Sequence, residues 1–144
     1  MYDLNRFIIA QERDYDQALH EIRSGQKRTH WMWYIFPQVK GLGRSEMARY
    51  YGIDGLDEAK AYIAHPVLGR RLMEVSQALL NIETGNISDV MEYPDDLKLR
   101  SSMTLFAEVM PGEPVFEGVL DKFFGGVRDN LTLQMLGRQE PNQK

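Results

Sequence analysis

The stretch PVLGRRLMEVSQALLNI, residues 66–82, decides the fold class. Leu68, Leu72, Val75, Leu79 and Ile82 recur at steps of four and three, while Arg70, Glu74, Gln77 and Asn81 hold the opposite face. That is the period of an α-helix with one side turned to a core. Pro66 stands at the first helical position, where its missing N–H is not needed, and His65 before it serves as the N-cap.

The same pattern continues outward in both directions. Residues 56–64 form a short helix before this one, and residues 45–51 another, capped by Ser45. At the start, Leu4, Ile8, Gln11, Tyr15, Leu19 and Ile22 share a face over residues 3–24. Asp14 with Gln17 reads as a capping box that divides this region into two short helices, and Gly25 as its stop. Downstream, Pro94 opens a helix to about Val109, with Asp95 and Asp96 in the first turn and Leu99, Met103, Phe106 and Met110 as its buried stripe. Pro114 starts a helix through Phe124. Leu131, Leu133 and Met135 alternate as in a strand, but the helical surroundings and a cap at Asp129 favour a helix. The expectation is an all-α fold: one domain over residues 1–137, a bundle of about seven short helices with little or no β structure, and a frayed tail at 138–144.

The bulk properties agree. The chain has 144 residues, 43% hydrophobic and 26% charged, a globular composition for one domain. No apolar run approaches the roughly 20 residues of a membrane span, and residues 1–10 lack a secretory signal, so a cytoplasmic protein is expected. The absence of cysteine excludes disulfides, thiolate metal sites and cysteine nucleophiles. A formal charge of −4 argues against nucleic acid or an anionic membrane as partner and points to no particular protein partner. Within it, residues 26–50 carry Lys27, Arg28, Lys40, Arg44 and Arg49 against Glu46 alone, a local basic island.

Four segments could carry chemistry. His30-Trp31-Met32-Trp33-Tyr34-Ile35-Phe36-Pro37-Gln38 holds both tryptophans of the chain. Rings with polar edges suit either a core or a pocket wall that stacks on a planar ligand, with Gln38 beside it and His30 as the candidate acid or base. In Lys40-Gly41-Leu42-Gly43-Arg44-Ser45 two glycines allow close backbone approach, and Lys40, Arg44 and the helix start at Ser45 offer donors to an anion. A dinucleotide fingerprint would need a third glycine where Glu46 and Met47 stand. His65, with Arg70 and Arg71, marks another helix start. Ser101 and Ser102 place hydroxyls inside an apolar helix, where they need partners or touch a ligand. No acids accompany the histidines at ligand spacing, so no metal is expected, and no cofactor is indicated.

HWMWYIFPQ (30–38), GLGRS (41–45), HPVLGRRL (65–72) and LKLRSSMTLF (97–106) together resemble the domain of unknown function 1810 family, a likeness that covers residues 4–136. The resemblance implies a mainly helical, compact bacterial cytosolic protein, and supplies no reaction or catalytic residues. From the residues themselves the expected function is a small-molecule site for a planar anionic ligand, nucleotide or sugar-phosphate like, with an enzymatic role left open. Trp31 or Trp33 would stack, Lys40, Gly41, Gly43, Arg44 and Ser45 would hold the anion, and His65, Ser101 and Ser102 would complete the wall. The alternative is a protein-interaction or regulatory module that uses segment 30–38 as a recognition groove.

Overall fold

A computed structural model describes residues 2–137. Eight α-helices and one 3-10 turn make up its regular structure: α1 (Asn5–Arg23), α2 (Met32–Ile35), α3 (Glu46–Tyr51), α4 (Gly55–Ala64), α5 (Leu68–Asn81), the turn Ile87–Asp89, α6 (Asp95–Val109), α7 (Pro114–Phe124) and α8 (Asn130–Met135). The described residues contain no sheet. A single parallel bridge joins Val39 to Ile53. The expected tail at 138–144 lies outside the described residues.

The periodicity of residues 66–82 carries the architecture as expected. Leu68, Leu72, Val75 and Leu79 are all buried, and α5 packs against α1, α4 and α7, while α6 packs against α4, α7 and α8. A row of rings crosses the centre. Phe7 of α1 meets Tyr62 of α4 edge-on at 5.0 Å, Tyr62 lies 5.5 Å from Phe106 of α6, and Phe106 lies 5.9 Å from Phe116 of α7. Such pairs add specific geometry to apolar burial. Helices α4 and α5 approach so closely that a Cβ on Gly69 would stand 2.0 Å from the Ile63 carbonyl oxygen.

Several polar groups inside are paired across helices. Gln11 donates to the Tyr34 carbonyl at 2.8 Å and to the Tyr62 hydroxyl at 3.0 Å. Arg6 pairs with Glu58 at 2.9 Å and donates to the carbonyls of Tyr50 and Gly52, tying α1 to α3 and α4. Lys122 of α7 caps the C-terminal end of α5, donating to the carbonyls of Leu79 at 3.1 Å and Leu80 at 3.0 Å, and to that of Ile82. No helix among the described residues is long and apolar enough to cross a membrane.

Three local expectations are corrected. Residues 5–23 form one unbroken helix because the stripe Phe7, Ala10, Gln11, Tyr15, Ala18, Leu19 and Ile22 is buried without interruption. Asp14 therefore sits in mid-helix, where its carboxylate accepts from Arg13 and from the Tyr34 hydroxyl in place of capping. The third difference is the aromatic segment itself, which supplies the extra short helix α2. The ambiguous segment 131–136 is helix α8, and Asp129 caps it by accepting from Thr132 N at 3.0 Å.

Candidate functional site

Glu21, in the last turns of α1, is 1% exposed. Its carboxylate accepts from the backbone N–H of Arg28 at 2.8 Å and Thr29 at 3.0 Å, from the Thr29 hydroxyl at 2.8 Å, from Gln17 at 2.8 Å and from Trp31 Nε1 at 2.9 Å. Burial alone would raise its pKa, but these donors outweigh burial and hold it down at about 2. The chain from 26 to 31 is thus wrapped around one buried anion.

That wrapping places one ammonium group, and α6 brings a second beside it. Lys27 Nζ lies 2.9 Å from Asp95 and 5.0 Å from the centre of the Trp31 ring. Lys98 Nζ lies 3.5 Å from the same carboxylate and 4.6 Å from the Trp33 ring. Asp95, in the first turn of α6, therefore bridges two lysines, each seated on a tryptophan face. Lys27 N also donates to the Val90 carbonyl at 2.6 Å, which draws loop 26–30 towards segment 88–92. Between them opens a cleft of about 360 Å³, bordered by Arg28, His30, Ser88, Asp89 and Glu92, with Lys27 and Asp95 in its wall.

The sequence-predicted residues fall into separate places. His30 is exposed on this cleft, its carbonyl accepting from the Tyr34 hydroxyl at 3.1 Å. Trp31 is 1% exposed and belongs to the core. Half-buried Trp33 borders a separate void of about 10 Å³ with Gln38 and Gly43, room for about one water. Lys40 and Arg44 are exposed. Gly41 adopts φ +105° with the Met135 side chain packed over it, so its close approach is to the protein itself. Ser45 caps α3 by accepting from Ala48 N at 3.1 Å. His65 accepts through Nδ1 from the N–H groups of Val67 at 3.1 Å and Leu68 at 3.3 Å, sealing the start of α5. Ser101 donates to the Leu97 carbonyl at 3.1 Å, and Ser102 is fully buried. His65, Ser101 and Ser102 border neither the cleft nor the void.

The residues that organise the cleft are ones the sequence left unselected: Glu21, Lys27 and Asp95. Glu21 had a signal, since it falls three residues after Ala18 on the buried face of α1. Asp95 had none, because helix-start acids are ordinary and its partner Lys27 is remote in the chain. The aromatic segment offers little to a protein surface, with Trp31 and Tyr34 each 1% exposed. Among the described residues no three His, Asp or Glu side chains gather where they would hold a metal ion.

The molecule is thus an all-α protein with a polar cleft beside a lysine–carboxylate–lysine bridge. The chain belongs to the family described as Protein of unknown function (DUF1810), whose model matches residues 1–136. It is similar to the conserved hypothetical protein Rv1873 from Mycobacterium tuberculosis, known from a crystal structure. The two share 43% identity with a TM-score of 0.93, over 96% of this chain and 99% of that one. Among curated proteins none matches.

Proposed function

We propose that the protein binds a small anionic metabolite of the nucleotide or sugar-phosphate type in the cleft beside His30. The observation that carries this reading is the division of labour among its charges. Lys27 is spent on Asp95 and Trp31, Asp95 on Lys27 and Lys98, and Asp89 accepts from Thr84. Arg28, His30 and Glu92 stand exposed at the opening. A guanidinium and an imidazole suit a phosphate, and a carboxylate opposite them suits sugar hydroxyls. The volume, about 360 Å³, falls within the roughly 300–1,000 Å³ usual for small-molecule sites. His30 is the group at the opening able to exchange a proton with such a ligand.

A thermal-shift screen of nucleotides and sugar phosphates tests this. At least one compound should raise the melting temperature of the natural protein and leave that of His30→Ala unchanged. A flat response of the natural protein across the library would overturn the reading.

A further inference from the structure

A second and larger cleft, about 740 Å³, lies between the end of α1 and the C-terminal half of α5. Its walls run on into those of the first on both sides. On one wall Gly25 borders the larger cleft and the next residue, Gln26, borders the smaller. On the other wall Thr84 borders the larger, and its hydroxyl donates to the carboxylate of Asp89, which borders the smaller. Chain neighbours on one side and hydrogen-bonded neighbours on the other set the two hollows side by side along the same pair of walls.

The walls of the larger lobe have a different chemistry. Gln77 and Asn81, one turn apart on α5, are exposed, and Gln77 Nε2 donates to Asn81 Oδ1 at 3.1 Å. This bond aligns the two carboxamides and leaves the Gln77 carbonyl oxygen and the Asn81 amide hydrogens for a third party. An acceptor and a donor side by side complement the amino and ring-nitrogen edge of a purine. Ala78 and Ile82 add an apolar floor for the ring face, and Glu83 an acceptor for ribose hydroxyls. Resting on the function proposed above, we infer that the two hollows form one groove that takes a purine nucleotide end to end, with the base against Gln77 and Asn81 and the phosphate at Arg28 and His30.

Titration calorimetry on the full chain with adenosine 5′-monophosphate, guanosine 5′-monophosphate and ribose 5-phosphate tests the assignment. At least one nucleotide should bind tenfold or more tighter than ribose 5-phosphate. The double variant Gln77→Ala, Asn81→Ala should bring that nucleotide down to the affinity of ribose 5-phosphate and leave ribose 5-phosphate itself unmoved, and Arg28→Ala should weaken both. All three positions are exposed, so the variants should keep the natural circular dichroism spectrum. Equal binding of nucleotides and ribose 5-phosphate, or a nucleotide preference that survives the double variant, would overturn the base lobe while the anion site at His30 stands. No binding of any of the three would overturn the purine assignment, and the anion site falls with it if the wider library of nucleotides and sugar phosphates is flat as well.

Discussion

The indole Nε1 of Trp31 donates to the carboxylate of Glu21 at 2.9 Å, and both side chains are 1% exposed. A helix acid and a loop aromatic ten residues on are thereby fixed to each other, and the backbone between them is pulled into the turn that presents Arg28 and His30. The donors around this carboxylate are neutral N–H and O–H groups, and the buried Trp31 Nε1 loses its acceptor if it is removed. Glu21→Ala should cost about 3 kcal/mol or more in urea unfolding, since each orphaned buried donor is worth roughly 1–3 kcal/mol. A loss under about 1 kcal/mol would mean the turn holds itself.

The same carboxylate sets a pH dependence. Its folded pKa, about 2, lies below the ordinary glutamate value of about 4.3. Its contribution to stability is therefore complete above about pH 4.3 and is lost as the pH falls towards the folded value. The natural protein should lose stability across that window, and Glu21→Gln, already weakened at neutral pH, should show a shallower decline. Parallel pH curves for the two proteins would show that other carboxylates govern the acid side.

Asp95 holds two lysines, and one of them is nearly enclosed, the Lys27 side chain being 7% exposed. Asp95→Asn leaves that ammonium with the Thr29 carbonyl, at 2.6 Å, and the face of Trp31. We expect a loss of about 2 kcal/mol from a nearly buried charge deprived of its partner, together with a change in tryptophan emission, because both indoles carry one of the two lysines. Unchanged emission and unchanged stability would remove Asp95 from the centre of the site.

Gly69 tests which of two opposed effects wins. Alanine is the better helix former by about 1 kcal/mol, yet its Cβ would meet the backbone oxygen of Ile63 at 2.0 Å, which no side-chain rotation relieves. Overpacking of this kind costs typically 1–3 kcal/mol or more, so Gly69→Ala should lower the melting temperature. A rise would show that α4 and α5 separate freely.

Ser102 gives the opposite sign. Its hydroxyl is fully buried, and no hydrogen-bond partner stands near it among the described residues. Ser102→Ala should leave stability unchanged or raise it by up to about 1 kcal/mol, since an unpaired hydroxyl is a cost. A clear loss in urea unfolding would reveal a partner and return Ser102 to the candidates for ligand contact.

Much of the fold was legible in the sequence because amphipathic period and helix punctuation are local. The stripe of 66–82, the prolines at 94 and 114 and the caps at Ser45 and Asp129 each act within a few residues. The capping box at Asp14 misled for the same reason: a local pattern carries no information about Tyr34, whose hydroxyl takes up that carboxylate. The site was legible only in part. His30 reaches a cleft, but the glycines at 41 and 43, read as room for a ligand, make room for Met135 and Ala48.

Read from the residues alone, the chain is helical and gathers both tryptophans into one segment, 30–38, fit for either a core or a pocket wall. Which tryptophan is buried, that Glu21 is the anion around which loop 26–31 closes, and that Lys27 and Lys98 meet at Asp95 follow from helix packing. The physical reason is range. Helix propensity and capping are settled between neighbours, whereas burying a charge is tolerated only when partners from distant segments arrive together, and that depends on how the helices pack.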